Sequence, residues 1–326
     1  MKNKINFGLL LLAISIASCF GTVACKTNKT NRSSENATAS AATQAQASSQ
    51  PSLEKQRQDA QQQARPEVEN QRKSLQEEAN KTLDQDAITA ISETKKAIDQ
   101  IAAGKTDDAL AAIEQATGKI NVLLARNPAT AFIPVSAEVD VIDIAPYDIK
   151  MIRTIAQEGT AAAEVKDFPA ARLLLYSLTS EIRSRTYNLP LATYPEALKE
   201  AARLLDQKKT QDANTVLLAA LNTLVVVDKV TPLPLLLAQE AVKGAKEQSQ
   251  KDKALAQALV RTAKREIERS KELGYAPKAP EYDALNADIS NLEKQLKNNG
   301  ESNSVFAKLE DKLSAFLKRQ SQQERR

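Results

Sequence analysis

The side chains in this 326-residue chain that could carry chemistry fall mainly in two short stretches. Glu138, Asp140 and Asp143 lie in IPVSAEVDVIDI, residues 133–144. On an extended strand Glu138 and Asp140 share a face, whereas Asp140 and Asp143 point to opposite sides. The first pair suits a bound cation or a response to acid, and the second is poorly placed for paired acid–base catalysis. With so many basic residues in the chain, arginine partners are expected for these three pH-responsive carboxylates. Arg183, Arg185, Tyr187 and Tyr194 flank Asn188-Leu189-Pro190. Guanidinium and phenol groups around a chain reversal can hold an anion or an aromatic drug. Glu181 and Arg185 are also four apart, the spacing of an ion pair on a helix. Ser177 and Ser180 have no base beside them, because the chain contains no histidine and no Ser-x-x-Lys pattern is suitably placed. The missing histidine also excludes a Ser-His-Asp triad, a histidine zinc site and a histidine pH switch. A glycine-rich phosphate loop is likewise missing. No catalytic residue, metal site or cofactor is therefore expected, and the chain reads as a non-enzyme.

The two cysteines, Cys19 and Cys25, both lie near the N-terminus. Lys2 and Lys4 precede an apolar run from Phe7 to Ser18, the pattern of an export signal. Ile16-Ala17-Ser18-Cys19 has the form of a bacterial lipobox: a branched apolar residue, two small residues, then the thiol that takes the diacylglycerol. Cys19 is the expected lipidation site. Cys25, after Thr22-Val23-Ala24, is the alternative, and ordinary cleavage or an uncleaved anchor are the remaining readings. In every case the body beyond them lacks cysteine and so lacks disulfides and thiolate metal sites. Lys26 to Gln50 is almost entirely Ser, Thr, Asn, Ala, Gln and Lys, so it reads as a polar tether. Its reach is roughly 27 Å, enough to hold a domain off a membrane.

The elements that must position the candidate residues are mostly helices. Ala, Leu, Gln, Lys and Glu dominate, glycine totals 8 and tryptophan is absent. Leu53 to Leu83 is very polar and interrupted by Pro66, which predicts a frayed or exposed helix. Beyond it a helix–turn–helix phrase recurs around Gly104-Lys105, Lys166-Asp167 and Lys208-Lys209, about 62 and 42 residues apart, too unequal for a regular solenoid. Extended structure is expected at Val135–Asp143 and near Leu224–Asp228, and nowhere else. Leu285, Ile289, Leu292 and Leu296 form one heptad-like seam, and Phe306, Leu309, Leu313 and Phe316 a second. Two short seams joined near Asn298-Asn299-Gly300 predict packing within the chain. The fold class is thus all-α: a bundle of αα-hairpins with at most two short extended segments.

Several phrases of the central stretch together resemble the YfdX protein family. They are Ala102-Ala103-Gly104-Lys105; Ile133-Pro134-Val135 through Asp143 and Pro146; Ala170 to Leu174; Asn188-Leu189-Pro190-Leu191 with Tyr194 to Leu198; Leu224 to Val227; and Pro232 to Leu235. Leu273-Gly274-Tyr275 looks like the tail of longer members. The resemblance implies an exported, mostly helical protein linked with acid and drug stress, and it supplies no reaction. The expected organisation is a lipoprotein signal at 1–18, a flexible tether at 19–52 and a partly helical lead-in at 53–82. A YfdX-like core follows at 83–233, then C-terminal hairpins at 234–320 and a tail at 321–326.

Two functions remain in view. One is a lipid-anchored envelope protein facing the periplasm or exterior that binds small molecules or unfolded clients under stress. The other is a structural adaptor acting through its C-terminal helices. A net charge of +4 against 45 basic and 41 acidic residues gives no basis for a nucleic-acid partner.

Overall fold

Three helix–turn–helix–strand units follow one another and build one sheet. They are visible in the computed structural model, which describes residues 53–298, 302–322 and 324–325. After a first helix α1 (Leu53–Lys81), the first unit is α2 (Gln85–Ala102), α3 (Thr106–Arg126) and β1 (Phe132–Asp143). The second is α4 (Ile149–Glu164), α5 (Phe168–Tyr176) and β2 (Ser180–Pro190), and the third α6 (Tyr194–Asp206), α7 (Thr210–Leu221) and β3 (Val225–Pro232). Helices α8 (Leu233–Gln248), α9 (Lys253–Glu272), α10 (Glu281–Lys297) and α11 (Asn303–Ser321) complete the body, and β4 (Glu324–Arg325) adds two residues to the edge of β3. Export signal, Cys19, Cys25 and tether lie outside the described residues.

The three hairpin turns share one geometry. Each first helix ends in a left-handed residue: Gly104 (φ 73°), Lys166 (φ 62°) and Lys208 (φ 61°). In each, the next amide reaches back to a carbonyl five residues earlier: Lys105 to Gln100, Asp167 to Ala162 and Lys209 to Leu204, all at 2.9 Å. This is the Schellman termination, which satisfies carbonyls that the helix end leaves open. It costs glycine little and lysine about 1 kcal/mol. In α5 the Asp167 carboxylate then accepts from the Ala170 amide at 3.1 Å, and Pro169 occupies the first turn.

The helical class holds, and the sheet has two strands more than the two extended segments expected: β2 and the two-residue β4. β2, the central strand, pairs antiparallel with both β1 and β3. Glu181 and Arg185 are therefore strand residues and do not form a pair on a helix. The strand expected near 224–228 is present and runs on to Pro232. Helix α1 also differs from its polar reading: it continues through Pro66 and packs along β1, with Ala64 buried and Val68 and Leu75 against the core. Gln76 donates to the Ala137 carbonyl at 3.2 Å, and the Asp84 amide to the Pro134 carbonyl at 3.1 Å, so the edge of β1 is partly covered.

Two cores share the sheet. In the first, α2, α3, α6 and α7 close over Ile133 and Val135 of β1 and over Leu189 and Leu191 at the end of β2. In the second, α1 and α8–α11 close over Val139 and Ile182. Leu285, Ile289, Leu292, Phe306, Leu309, Leu313 and Phe316 are all buried there, so both heptad-like seams pack within the chain. Each such side chain is worth roughly 1.5–3 kcal/mol of burial.

Candidate functional site

Strand register assembles the candidate residues. Directly opposed residues of neighbouring strands lie on one face. Glu138, Arg185 and Asp228 are aligned across β1, β2 and β3, and Asp140 stands opposite Arg183. Arg185 places its fork on Asp228, Nε to Oδ1 at 2.9 Å and Nη2 to Oδ2 at 3.0 Å, and its Nη1 lies 3.8 Å from Glu138 Oε1. The Tyr187 hydroxyl donates to the same Glu138 oxygen at 3.0 Å. Hydrogen bonding to Asp228 raises the Arg185 pKa above the ordinary arginine value, against the opposing effect of partial burial. Arg183 closes on Glu181 Oε1 through Nε at 2.8 Å and Nη2 at 2.6 Å. This ladder is partly open: Glu138 and Asp140 are exposed, and Arg185, Tyr187 and Asp228 are half-buried. Its four carboxylates (Glu138, Asp140, Glu181, Asp228) meet Arg183 and Arg185, with Arg72 acting on Asp140 and Arg325 in register with Asp228, so acids and bases balance and Glu138 is the exposed carboxylate at the rim.

The ladder is joined to a buried network at the other end of the strands. Glu181 accepts from the Tyr275 hydroxyl at 3.0 Å, and that hydroxyl accepts from the Ser180 amide at 3.1 Å. Ser180 Oγ donates to Asp143 Oδ1 at 2.7 Å. The same Asp143 oxygen accepts from Arg269 Nη2 at 2.9 Å, and Gln61 donates to its second oxygen. Arg269 is fully buried and also donates to the carbonyls of Ala145 and Pro146 (both 3.1 Å) and to Glu266 (3.3 Å), with Tyr147 stacked against it. Burial disfavours its charge, and Glu266 and Asp143 more than offset this, so its pKa lies above the usual value.

Residues 90–230 match the family model described as YfdX protein. Over those residues the chain is similar to the YfdX family. A crystal structure of Salmonella Typhi YfdX is similar at 16% identity, covering 46% of this chain and 93% of that one, with a TM-score of 0.32. No curated protein matches the chain. The match ends within β3, before α8–α11. Arg269 and Tyr275 lie beyond the matched residues and are linked by hydrogen bonds to Asp143, and to Ser180 and Glu181, within them.

The expected site residues thus divide into three groups. Glu138, Asp140, Arg183, Arg185 and Tyr187 share one face of the sheet. Asp143 lies on the opposite face, as its spacing from Asp140 predicts, and belongs to the buried network. Tyr194 is removed from the set: it is fully buried in the first core, where its hydroxyl donates to Thr94 at 2.8 Å. Burial pushes its pKa up to about 12. Tyr194 is close to Tyr187 in sequence, but Leu189 and Leu191 turn the chain into the core between them. Asp228 and Arg269 escape a reading of the sequence, and Glu181 is legible there only as a helical partner of Arg185, since only strand register and the docking of α9 bring them to the site. Ser180, considered as a nucleophile, is occupied in structure by Asp143, and Ser177 donates to the Leu174 carbonyl at 2.6 Å. A separate groove of about 300 Å³ lies between α10 and α11, over Leu285 and Phe316 and beside Arg319 and Glu281. Its rim charges are already paired, Arg319 with Glu281 and Lys312 with Asp288. Among the described residues no group of three or more potential ligands could hold a metal ion.

Proposed function

We propose that this is an exported, lipid-anchored, non-enzymatic envelope protein whose YfdX sheet binds small organic cations as part of a stress response. The observation that carries the reading is the Glu138–Arg185–Asp228 ladder with Tyr187 at its rim. Glu138 is its exposed carboxylate, and Tyr187, hydrogen-bonded to it, carries a ring of the kind that attracts a cation. The lipobox at Ile16–Cys19 and the polar stretch after it support anchoring at the outer face of a bacterial membrane, with Cys19 as the lipidated thiol. The adaptor reading draws no such support, because the C-terminal seams it relied on are buried.

Two experiments test this. Labelled palmitate is expected to mark the wild type and to be lost in Cys19→Ala; equal labelling would remove Cys19 as the anchor. Ethidium, a planar aromatic cation, is expected to bind the full chain and to bind Glu138→Gln/Tyr187→Ala about tenfold more weakly, a change of roughly 1.4 kcal/mol. Equal affinity for the two proteins would remove the ladder as the site.

A further inference from the structure

The bases that balance the ladder's acids do not all belong to the sheet. Arg183 and Arg185 lie on β2, whereas Arg72 is carried by α1. Two side-chain hydrogen bonds hold α1 along β1 and bracket Arg72. Gln61 donates to Asp143 at one end of the strand, and Gln76 donates to the Ala137 carbonyl at 3.2 Å. Helix and strand therefore run antiparallel. At a rise of about 1.5 Å per helical residue against about 3.4 Å per strand residue, Arg72 falls level with Glu138 and Asp140. The bond to Glu69 raises the Arg72 pKa most, and the charge of Asp140 adds to the rise. Arg72 forks on Glu69 at 2.9 and 2.7 Å, and Lys73 lies 3.8 Å from the same carboxylate, so this turn of α1 keeps a positive charge in surplus. The helix that brings this charge is weakly held. Among its described residues only Ala64 is buried, whereas α8 buries nine residues and α9 seven. Pro66 lies inside α1 and removes one of its backbone hydrogen bonds. Few buried apolar contacts and an interrupted bond ladder mark a segment that opens before the rest of a fold.

We propose that α1 is a removable cover whose Arg72 sets the affinity of the ladder for organic cations. Docked, α1 completes the balance of charge across the strands. Lifted, it leaves the four carboxylates one base short, with Asp140 open to a bound cation. The inference rests on the reading of the ladder as a cation site and adds its regulation. A bound cation and a docked α1 then weaken each other by the same factor, as linkage requires. For charges this exposed the factor is about threefold, the scale of a surface ion pair. Added salt screens such charges and reduces it.

Amide exchange and ethidium titration on the full chain test this. In the free protein the α1 amides are expected to exchange at least about tenfold faster than those of α8 and α9. Saturating ethidium should speed α1 exchange about threefold further, and Arg72→Gln should bind ethidium about threefold more tightly than the wild type. Arg72→Lys, which keeps the charge, should restore the wild-type affinity. Asp140→Asn reads the contact without ethidium: exchange in α1 should rise about threefold while that of α8 stays as it was. Equal ethidium affinity of Arg72→Gln and wild type, α1 exchange as slow as that of α8, or α1 exchange untouched by Asp140→Asn would each overturn the proposal. No ethidium binding by any of these chains would overturn the cation-site reading and the gate with it. Faster α1 exchange in Asp140→Asn would in that case show that the contact exists without that function.

Discussion

Arg269 Nη2 lies 2.9 Å from Asp143 Oδ1, and this ion pair ties α9 to the end of β1. Arg269 has no exposed surface and Asp143 little, so neither charge can fall back on water if the other is removed. Arg269→Met is therefore expected to destabilise the body by about 3–5 kcal/mol. Asp143→Asn leaves Arg269 with Glu266 and two carbonyls, so its loss should be smaller, roughly 2 kcal/mol. Guanidinium unfolding measures both. Equal stability of Arg269→Met and wild type would mean that the additional helices are held by their apolar core alone.

The helices are legible in the sequence because their buried positions recur at helical spacing, as in Leu285, Ile289 and Leu292. β1 is legible because one face of it is apolar. β2 is not, because it is central and charged: its Arg183 and Arg185 meet carboxylates across both neighbouring strands, so it lacks the apolar alternation that announces a strand. Most residues of the ladder stand out in the sequence, but their partnership is hidden. Arg185 and Asp228 are brought together by a register that composition and spacing do not encode. Helix α1 is underestimated from sequence because only a thin stripe, Ala64, Val68 and Leu75, meets the core. Good helix formers fill the rest and allow Pro66 to be carried.

The shared hairpin turns make opposite predictions for two residues. Gly104 already occupies its left-handed position without strain, so Gly104→Ala should destabilise by about 1 kcal/mol. Lys208 occupies the equivalent position with a side chain, so Lys208→Gly should stabilise by a few tenths to about 1 kcal/mol despite the greater freedom of the unfolded chain. Thermal melting of the two variants checks the pair. Shifts of the same sign would show that the turns are not equivalent.

Alkali should unfold the protein through two phenols. Burial raises the pKa of Tyr194 and of Tyr282 from 10.0 to about 12. A raised folded pKa gives stability that is complete below pH 10 and is lost as pH rises through the folded value. Each phenol is worth roughly 2–3 kcal/mol in that window. Tyr194→Phe, which loses the bond to Thr94, should be slightly less stable at pH 8 and should melt with a flatter profile between pH 10 and 12. An unchanged slope in that range would take Tyr194 out of the alkaline transition.

Acid should act in the opposite direction, through carboxylates held low by basic partners, with Glu272, Glu281 and Asp288 in the C-terminal helices beside Glu69, Asp86 and Glu200 elsewhere. The hydrogen bond from Arg153 holds Glu272 below the ordinary value of 4.5, and the bond from Arg319 does the same for Glu281. For Asp288 burial pulls upward, and the bonds from Lys312 and Lys308 outweigh it, so its pKa falls below 3.8. In each case the folded carboxyl holds its proton less tightly than the unfolded one. Their stabilisation is therefore present above the unfolded pKa and is lost as pH falls through the folded value. The melting temperature is expected to be flat from pH 7 to about 5 and to drop steeply toward pH 3. Glu272→Gln/Glu281→Gln should melt a few degrees lower at pH 7 and lose less on acidification, because two of the protonating groups are gone. Glu272 anchors Arg153 of α4, so the same variant should also loosen the α4–α5 hairpin, read as faster amide exchange in α4. Parallel acid profiles for the variant and the wild type would place the acid response elsewhere in the chain.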